Sequence, residues 1–287
     1  MQTLSASKLV IARSIEDAVL ALSDDEADAV PIAGGTWIMR APIRNEAPRK
    51  SYVAIGQIAE LRTVDLDEQE VRIGACVTHC ELARALADVR QCRGLVAAAN
   101  GAANPAIRQM ATVGGNLATR EFAASDLIPA LLALDADVEL ANSFSRERCS
   151  IDSFLKLRSD RSFRALLTRV IIPLRRTRTA HVRLPLRKAG DYPVAVVDVA
   201  VDLDDEGRVN DVRIAVGSVE ATARRWTDLE ARLAGGVLNA DVARELAEIE
   251  TATFAGRESV EVPAWYRVQV LPVLIQRAVE TILADPS

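Results

Sequence analysis

The sequence Ala33-Gly34-Gly35-Thr36 follows a short apolar segment, Asp28-Ala29-Val30-Pro31-Ile32, whose composition predicts a β-strand. Adjacent glycines let the backbone adopt positive φ angles and approach a ligand where a Cβ atom would obstruct it. Such a turn can direct successive N–H groups at one anion, the nest arrangement that holds phosphate. A Gly-Gly pair after a strand is, however, an ordinary turn more often than a ligand site.

A second segment, Ala111-Thr112-Val113-Gly114-Gly115-Asn116-Leu117, lies about 80 residues further along the chain. It repeats the paired glycines and adds Thr and Asn side chains that can bond phosphate oxygens. Two such glycine loops predict a long diphosphate ligand that is held from both sides. No two glycines lie two positions apart, so the G-x-G-x-x-G fingerprint is absent, and no Gly-Lys-Ser/Thr forms a P-loop. The ligand is therefore expected in a different nucleotide-binding fold.

Composition limits the classes of protein to which the chain can belong. Its 287 residues are 49% apolar and 26% charged, which is typical of a globular protein with one to three domains. The net charge of -5 argues against a nucleic-acid surface. The densest basic run, Arg175-Arg176-Thr177-Arg178, is interpreted as a solvated strand end.

Neither a membrane segment nor a metal centre is expected from the sequence. No apolar targeting segment opens the chain and no apolar run reaches about 18 residues, so we expect a cytoplasmic protein without a membrane span. The chain has four cysteines and two histidines. The cysteines are too scattered for a disulfide scaffold, and a metal or iron–sulfur site needs more ligands than these. The cysteines are Cys76, Cys80, Cys92 and Cys149.

The residue pattern predicts a mixture of helices and strands. Ser14-Ile15-Glu16-Asp17 and Thr78-His79-Cys80-Glu81 have capping-box spacing and predict helix starts. Residues 39–49 are interpreted as a loop, and 194–203 with 209–219 as a hairpin. The other predicted strands are 28–32, 52–55, 61–66, 70–75, 136–140 and 163–172, and the other predicted helices are 95–100, 125–134, 152–155, 227–233, 240–250 and 264–283.

Taken together, these motifs resemble the FAD-binding medium subunit of molybdenum hydroxylases. That group includes carbon monoxide dehydrogenase, nicotine dehydrogenase and the flavin domain of xanthine dehydrogenase. The resemblance runs through the whole chain. Besides the two glycine segments it is carried by Ile73-Gly74-Ala75 with Thr78-His79, Asn104-Pro105-Ala106-Ile107-Arg108, Ser125-Asp126-Leu127, Val212-Arg213-Ile214-Ala215-Val216-Gly217-Ser218 and Trp265-Tyr266-Arg267.

The resemblance implies an α+β fold with a two-part FAD-binding domain of the molybdopterin dehydrogenase type and a C-terminal domain of sheet and helices. Residues 1–56 and 57–176 would form the two FAD-binding subdomains, with the flavin between them, and 177–287 the C-terminal domain. It also implies a set of cofactor-binding residues. They are Ile32, Ala33, Gly34, Gly35, Thr36, Thr78, His79, Thr112, Gly114, Gly115, Asn116 and Asp126.

Some of these residues have a second explanation in the sequence. Asp126 is equally well explained as an acidic residue at a helix N-terminus. Thr78 is alternatively only a helix cap, and His79 only a surface histidine. The family usually places a Lys or Arg near the flavin, where this chain has Pro185 flanked by the basic residues Arg183, Arg187 and Lys188; none of the three is assigned. No inserted cysteine loop for an additional iron–sulfur cluster is present.

The implied function is electron transfer within a complex. A large subunit with a molybdopterin cofactor would act on the substrate, and a small subunit with [2Fe-2S] clusters would pass electrons to FAD. The flavin would reduce a quinone, NAD or oxygen, and the complex would be a dimer of heterotrimers. No side chain is expected to be catalytic, since the cofactor carries the chemistry.

The alternative is a stand-alone FAD-dependent oxidoreductase that acts directly on a small substrate. It would need an acid or base near the flavin, and the sequence offers only His79 and His181, with no clear carboxylate partner for either. A scaffold that has lost its flavin is disfavoured by the two intact glycine segments.

Overall fold

The computed structural model describes residues 7–24, 28–120, 122–160, 162–187 and 192–285. The chain divides into two compact units. Unit 1 consists of Met1–Glu81, Ala106–Arg120 and Asp137–Ile171, and unit 2 of Leu82–Pro105, Glu121–Ala136 and Ile172–Ser287. The division into three domains proposed from the sequence stays a prediction.

The chain folds into a mixture of strands and helices, as the sequence predicts. The strands are β1 (Lys8–Ile11), β2 (Ala29–Ile32), β3 (Ser51–Ala54), β4 (Val64–Leu66), β5 (Glu70–Gly74), β6 (Asp137–Ala141), β7 (Arg146–Ser150), β8 (Leu166–Pro173), β9 (Arg178–Pro185), β10 (Pro193–Leu203), β11 (Val209–Gly217) and β12 (Arg224–Arg225). The α-helices are α1 (Ile15–Leu22), α2 (His79–Ala85), α3 (Arg93–Gly101), α4 (Pro105–Arg108), α5 (Val113–Ala118), α6 (Leu127–Ala133), α7 (Ile151–Leu157), α8 (Thr227–Leu233), α9 (Ala240–Glu250), α10 (Ala264–Gln269) and α11 (Leu271–Ala284).

Several elements differ from the sequence-based expectation. Residues Ile38–Arg44, expected in a loop, form a 3-10 helix. The single helix expected over 264–283 is two helices, because Pro272 cannot donate a backbone hydrogen bond and ends the first one. The sequence patterns also fail to predict β1, β7, β9 and β12. β7 is a mostly exposed, charged strand without apolar alternation, and β12 has only two residues.

Unit 1 contains two sheets. The first is a parallel sheet in the order β1-β3-β2, and the second has the order β4-β5-β8-β6-β7. The apolar face of α1 contributes Ile15, Ala18 and Leu22 to a core that also contains Val53 of β3. Ser14 accepts a hydrogen bond from Asp17 N at 3.0 Å, so the predicted cap fixes the start of this helix.

Unit 2 is built on an antiparallel sheet in the order β12-β11-β10-β9. Alternate residues of β10, from Ala195 to Val201, join a core that also contains Trp226 and residues of α11. On β11, a Cβ atom at Gly217 would lie 2.4 Å from Pro129 Cγ, so the absent side chain lets α6 pack directly on the sheet. Both faces of β10 are thus buried, and Asp198 lies in the middle of this strand.

Candidate flavin site

The first glycine turn follows β2 without a break. Ile55 N donates to Ile32 O at 3.0 Å and fixes the end of the strand. Gly35 has a φ of +69°, a conformation that L side chains rarely adopt. Among the residues that the structure describes, no group accepts a hydrogen bond from the N–H of Gly34, Gly35 or Thr36. Three successive donors therefore remain available to an acceptor outside the described part of the chain.

The second glycine segment is a helix, which corrects the expectation of a second loop. It forms the first turns of α5, and Thr112 is its N-cap, accepting a hydrogen bond from Gly115 N at 3.1 Å. Neither Gly114 nor Gly115 has a positive φ. A Cβ atom at Gly114 would lie 2.7 Å from Ala75 Cβ, so this glycine is needed for packing after β5.

Backbone contacts within unit 1 bring the two glycine segments together. A Cβ atom at Gly34 would lie only 1.6 Å from the carbonyl oxygen of Met110, just before the Thr112 cap. Val113 N donates to Val77 O at 2.9 Å, and Thr78 forms an isolated antiparallel bridge with Thr112. The structure thus places the predicted residues 32–36, 78, 79 and 112–116 in one region of one unit.

Thr78 is a helix cap, as one of the two sequence interpretations had it. Glu81 N donates to Thr78 Oγ1 at 3.2 Å, and Thr78 N donates to Glu81 Oε2 at 2.9 Å. This reciprocal pair is the capping box that the sequence predicts. The cap sets the first turn of α2, whose first residue is His79.

His79 is not a surface histidine, so that alternative is wrong. The residue is 2% exposed, and its backbone N–H donates to Ala111 O at 2.9 Å. Within the described ranges, neither ring nitrogen has a hydrogen-bond partner. Burial, reinforced by the nearby Arg108 cation, lowers the pKa of His79 to about 4. The ring is therefore neutral at physiological pH and retains one donor and one acceptor for a ligand.

Arg158 fixes the other end of α5, and sequence reasoning missed it. This buried guanidinium donates to the carbonyl oxygens of Leu117 and Thr119, the latter at 3.0 Å. Carbonyls at the end of a helix have no intrahelical partner, so the arginine satisfies them. Burial lowers the pKa of Arg158 to about 10, which leaves it charged at neutral pH. No local sequence signal identifies this contact, because it joins residues about 40 positions apart.

Asp126 lies in unit 2 at the residue before α6 and is 3% exposed. Its side chain makes no capping hydrogen bond; Ser125 Oγ instead accepts from Ile128 N at 3.1 Å. Arg183 Nε donates to Asp126 Oδ1 at 2.9 Å. Of the three basic candidates, Arg183 thus reaches a predicted cofactor residue, Arg187 is exposed, and Lys188 lies outside the described residues.

His181 has a carboxylate partner that the sequence analysis did not find. Its Nδ1 lies 3.0 Å from Asp198 Oδ1 and 3.1 Å from Oδ2. The two residues face each other across β9 and β10. One signal could have revealed the pair, because Asp198 interrupts an otherwise apolar strand and a buried carboxylate needs a partner.

The described residues contain neither a membrane-spanning helix nor a cluster of metal ligands. No described helix has the length and apolar character needed to cross a membrane. No three His, Cys, Asp or Glu side chains in that part of the chain are grouped so that they could hold a metal ion.

Comparison with known proteins gives matches along nearly the whole chain. Residues 5–175 match the model of the FAD binding domain in molybdopterin dehydrogenase, and 180–282 match the CO dehydrogenase flavoprotein C-terminal domain. The nicotine 6-hydroxylase medium subunit of Paenarthrobacter nicotinovorans is 31% identical over 268 residues, covering 93% of each protein. In the same organism, the 6-hydroxypseudooxynicotine dehydrogenase complex subunit alpha is 30% identical over 276 residues, covering 93% of this chain and 91% of the relative.

The fold also matches a solved structure. A chain of carbon monoxide dehydrogenase from Hydrogenophaga pseudoflava superposes with a TM-score of 0.90 at 24% identity, covering 99% of each chain. At that identity the likeness shows the fold alone. The resemblance and the α+β fold class drawn from the sequence motifs are confirmed.

Proposed function

The chain belongs to the family of FAD-binding domains of molybdopterin dehydrogenases, and from that premise we propose that it is the electron-transferring medium subunit of a heteromeric molybdenum hydroxylase. A large subunit with a molybdopterin cofactor would act on the organic substrate. A small subunit with [2Fe-2S] clusters would deliver electrons, and this chain would pass them to a quinone, NAD or oxygen. The relatives named as a medium subunit and as a subunit of a dehydrogenase complex support this assignment.

The proposal rests on two sets of polar groups in unit 1 that have no hydrogen-bond partner among the described residues. The N–H groups of Gly34, Gly35 and Thr36 have no acceptor within the described chain, and three consecutive donors suit an anionic diphosphate. The buried ring of His79 also lacks a hydrogen-bond partner among the described residues, which is costly unless a ligand supplies one. The residues present therefore fit FAD.

Each group would have a distinct task in holding the cofactor. Residues 32–36 would bind the diphosphate through backbone donors, and Thr112 with Asn116 would add side-chain donors. Gly114 and Gly115 would contribute by letting α5 pack where it does. The neutral His79 would hydrogen-bond the cofactor without adding a charge, and Asp126 would bind its polar groups. When bound, FAD supplies the redox chemistry, by exchanging electrons between one-electron donors and a two-electron acceptor.

The assembly and location follow from the same proposal. The complex would be a dimer of heterotrimers, and it would work in the cytoplasm. No residue of this chain would act as a nucleophile or as a general acid. The specificity for the organic substrate would lie in the large subunit.

One observation favours the stand-alone flavoenzyme as a second candidate. The sequence showed no carboxylate partner for either histidine, but the buried His181–Asp198 pair is such a partnership. A histidine paired with a carboxylate can act as a general acid or base in direct substrate oxidation. The experiment must therefore separate a subunit from a self-sufficient enzyme.

The test begins with the purified chain. We expect it to bind FAD without a covalent link, so acid or heat should release all the flavin. We also expect no substrate-dependent bleaching of the flavin until the large and small subunits are added. A preparation indifferent to FAD contradicts the cofactor assignment, and direct reduction of the isolated chain by an organic substrate favours the stand-alone enzyme. Affinity capture of the native protein, with molybdenum and iron analysis, checks the complex independently.

A further inference from the structure

Four charged side chains form a buried cluster in unit 2 that the proposed function does not use as a whole. Their side chains are 2% exposed at Asp198, 4% at His181, 5% at Asp126 and 11% at Arg183. His181 lies between the two carboxylates. Its Nδ1 is 3.0 Å from Asp198 Oδ1, and its Nε2 is 3.9 Å from Asp126 Oδ1, the oxygen that Arg183 also bonds.

The sheet register explains why these side chains meet. His181 and Arg183 are two residues apart on β9, so they lie on the same face of the strand. Asp198 is directly opposite His181 on β10. A Cβ atom at Gly101, the last residue of α3, would lie 3.2 Å from Arg183 Cδ, so the glycine leaves room for the arginine; the same atom would lie 4.0 Å from His181 Nε2.

Charge balance favours a proton on both nitrogens of His181. With a neutral ring, two carboxylates would face one guanidinium and leave a net charge of -1 buried, which is unfavourable. Nδ1–H donates to Asp198, and a lone pair on Nε2 would then point toward a second carboxylate. The C-terminal end of α3, which carries partial negative charge, adds to the preference for a cation.

Three charged groups, on β10, just before α6 and on β9, act on the titration of His181. Burial alone disfavours the charged ring, but Asp198 and then Asp126 outweigh it, so the pKa of His181 is raised despite the opposing Arg183. Burial raises the pKa of Asp198 to about 6, against the opposing pull of His181. α3 contributes Gly101, which has no titratable group. Burial also raises the pKa of Asp126, against the opposing pull of Arg183 and His181. With all four side chains charged, two cations balance two carboxylates and the cluster is neutral.

We infer that His181 and Asp198 are positioning residues, which hold the Asp126 carboxylate ionised and in one orientation for the cofactor. The inference rests on the proposed function, because that function assigns Asp126 to FAD. Asp198 orients the ring through Nδ1, and the proton on Nε2 attracts Asp126 from the side opposite to Arg183. Loss of that proton leaves Asp126 with one cationic neighbour instead of two.

The test is the pH dependence of FAD affinity, measured by titrating flavin-free protein from pH 6.5 to pH 9. We expect wild-type affinity to fall once His181 loses its proton. Asp198→Asn removes the stronger of the two carboxylate contacts of His181, so the fall in FAD affinity should occur about one pH unit lower. His181→Gln should bind FAD about tenfold more weakly at pH 6.5 and show no fall of this origin. Asp211→Asn, which alters an ion pair at the other end of the β10–β11 ladder, is the matched control and should follow the wild type.

A second measurement needs no substitution. If a charged His181 favours FAD binding, bound FAD must in turn raise the pKa of His181, because linkage between two binding events is reciprocal. The imidazole NMR signal, followed with and without FAD, reports this shift even if a variant fails to fold. Identical titration in both states, or superimposable profiles for wild type and Asp198→Asn, would overturn the inference while leaving FAD binding intact. Absence of FAD binding by the wild type would instead remove the proposed function itself.

Discussion

The side chains of the two histidines of this chain are both almost completely buried, yet their surroundings shift their pKa values in opposite directions. His79 in unit 1 has no hydrogen-bond partner for its ring among the described residues, and burial lowers its pKa to about 4. His181 in unit 2 lies between Asp198 and Asp126, and its pKa is raised. Burial alone therefore does not decide the charge of a histidine; the buried carboxylates beside it do.

The same contrast extends to the regions around the two residues. The glycine segments near His79 are held by backbone hydrogen bonds and by close packing at Gly34 and Gly114. The region around His181 is held by ion pairs within a sheet. We expect the first region to be sensitive to added volume and the second to charge and pH.

The largest effect should come from adding a single methyl group in the first region. Gly34→Ala places a Cβ atom 1.6 Å from the Met110 carbonyl oxygen, so backbone must move. We expect unit 1 to lose at least about 3 kcal/mol of stability, the upper range for overpacking, and FAD affinity to fall with it. Urea unfolding and FAD titration measure the two effects.

Gly56→Ala is the matched control for this substitution. Its Cβ atom would lie 4.0 Å from the Ala33 carbonyl oxygen, an ordinary contact beside the same turn. Its stability should stay within about 0.5 kcal/mol of the wild type. Equal stabilities for the two variants would mean that the glycine segments do not meet as described.

The next prediction tests directly whether the two histidines differ in pKa. With two histidines in the chain, NMR should resolve two imidazole titrations, one near pH 4 and one above the ordinary 6.5. The folded pKa of His79 is lowered, so its contribution to stability is present above pH 6.5 and is lost as the pH falls toward 4. The loss amounts to about 3 kcal/mol. For His181 the sign is opposite, and its contribution is lost as the pH rises through its raised pKa.

Substituting each histidine in turn shows which imidazole gives each NMR signal and which one causes the loss of stability in acid. His79→Gln should remove the signal near pH 4 and make unfolding less dependent on pH between 4 and 6.5. His181→Gln should leave that acid dependence in place. Two imidazoles that both titrate near pH 6.5 would show that the two environments do not differ in the way the structure indicates.

The sequence predicted the first region better than the second. Glycine pairs, capping boxes and the hairpin are local signals, and they correctly indicated the family and most of the helices and strands. The sequence did not show that Gly114 and Gly115 lie in a helix, because a Gly-Gly pair is compatible with a loop and with close packing. Nor did it show the Asp198–His181 pair, which depends on strand register, or the Arg158 contacts, which join distant positions.

The smallest effect separates a structural role of Thr112 from a ligand-binding role. Thr112 and Ser150 are both N-caps in unit 1, accepting from Gly115 N at 3.1 Å and from Ser153 N at 3.2 Å. Replacing either by alanine should cost about 1 kcal/mol of stability, the usual value for a lost cap.

Because Thr112 Oγ1 only accepts in this contact, its O–H remains available to a phosphate oxygen. Thr112→Ala should therefore also weaken FAD binding about 10- to 150-fold, the worth of a hydrogen bond to a charged group. Ser150→Ala should leave FAD affinity unchanged. If both variants lose the same stability and bind FAD equally well, Thr112 is a helix cap and nothing more.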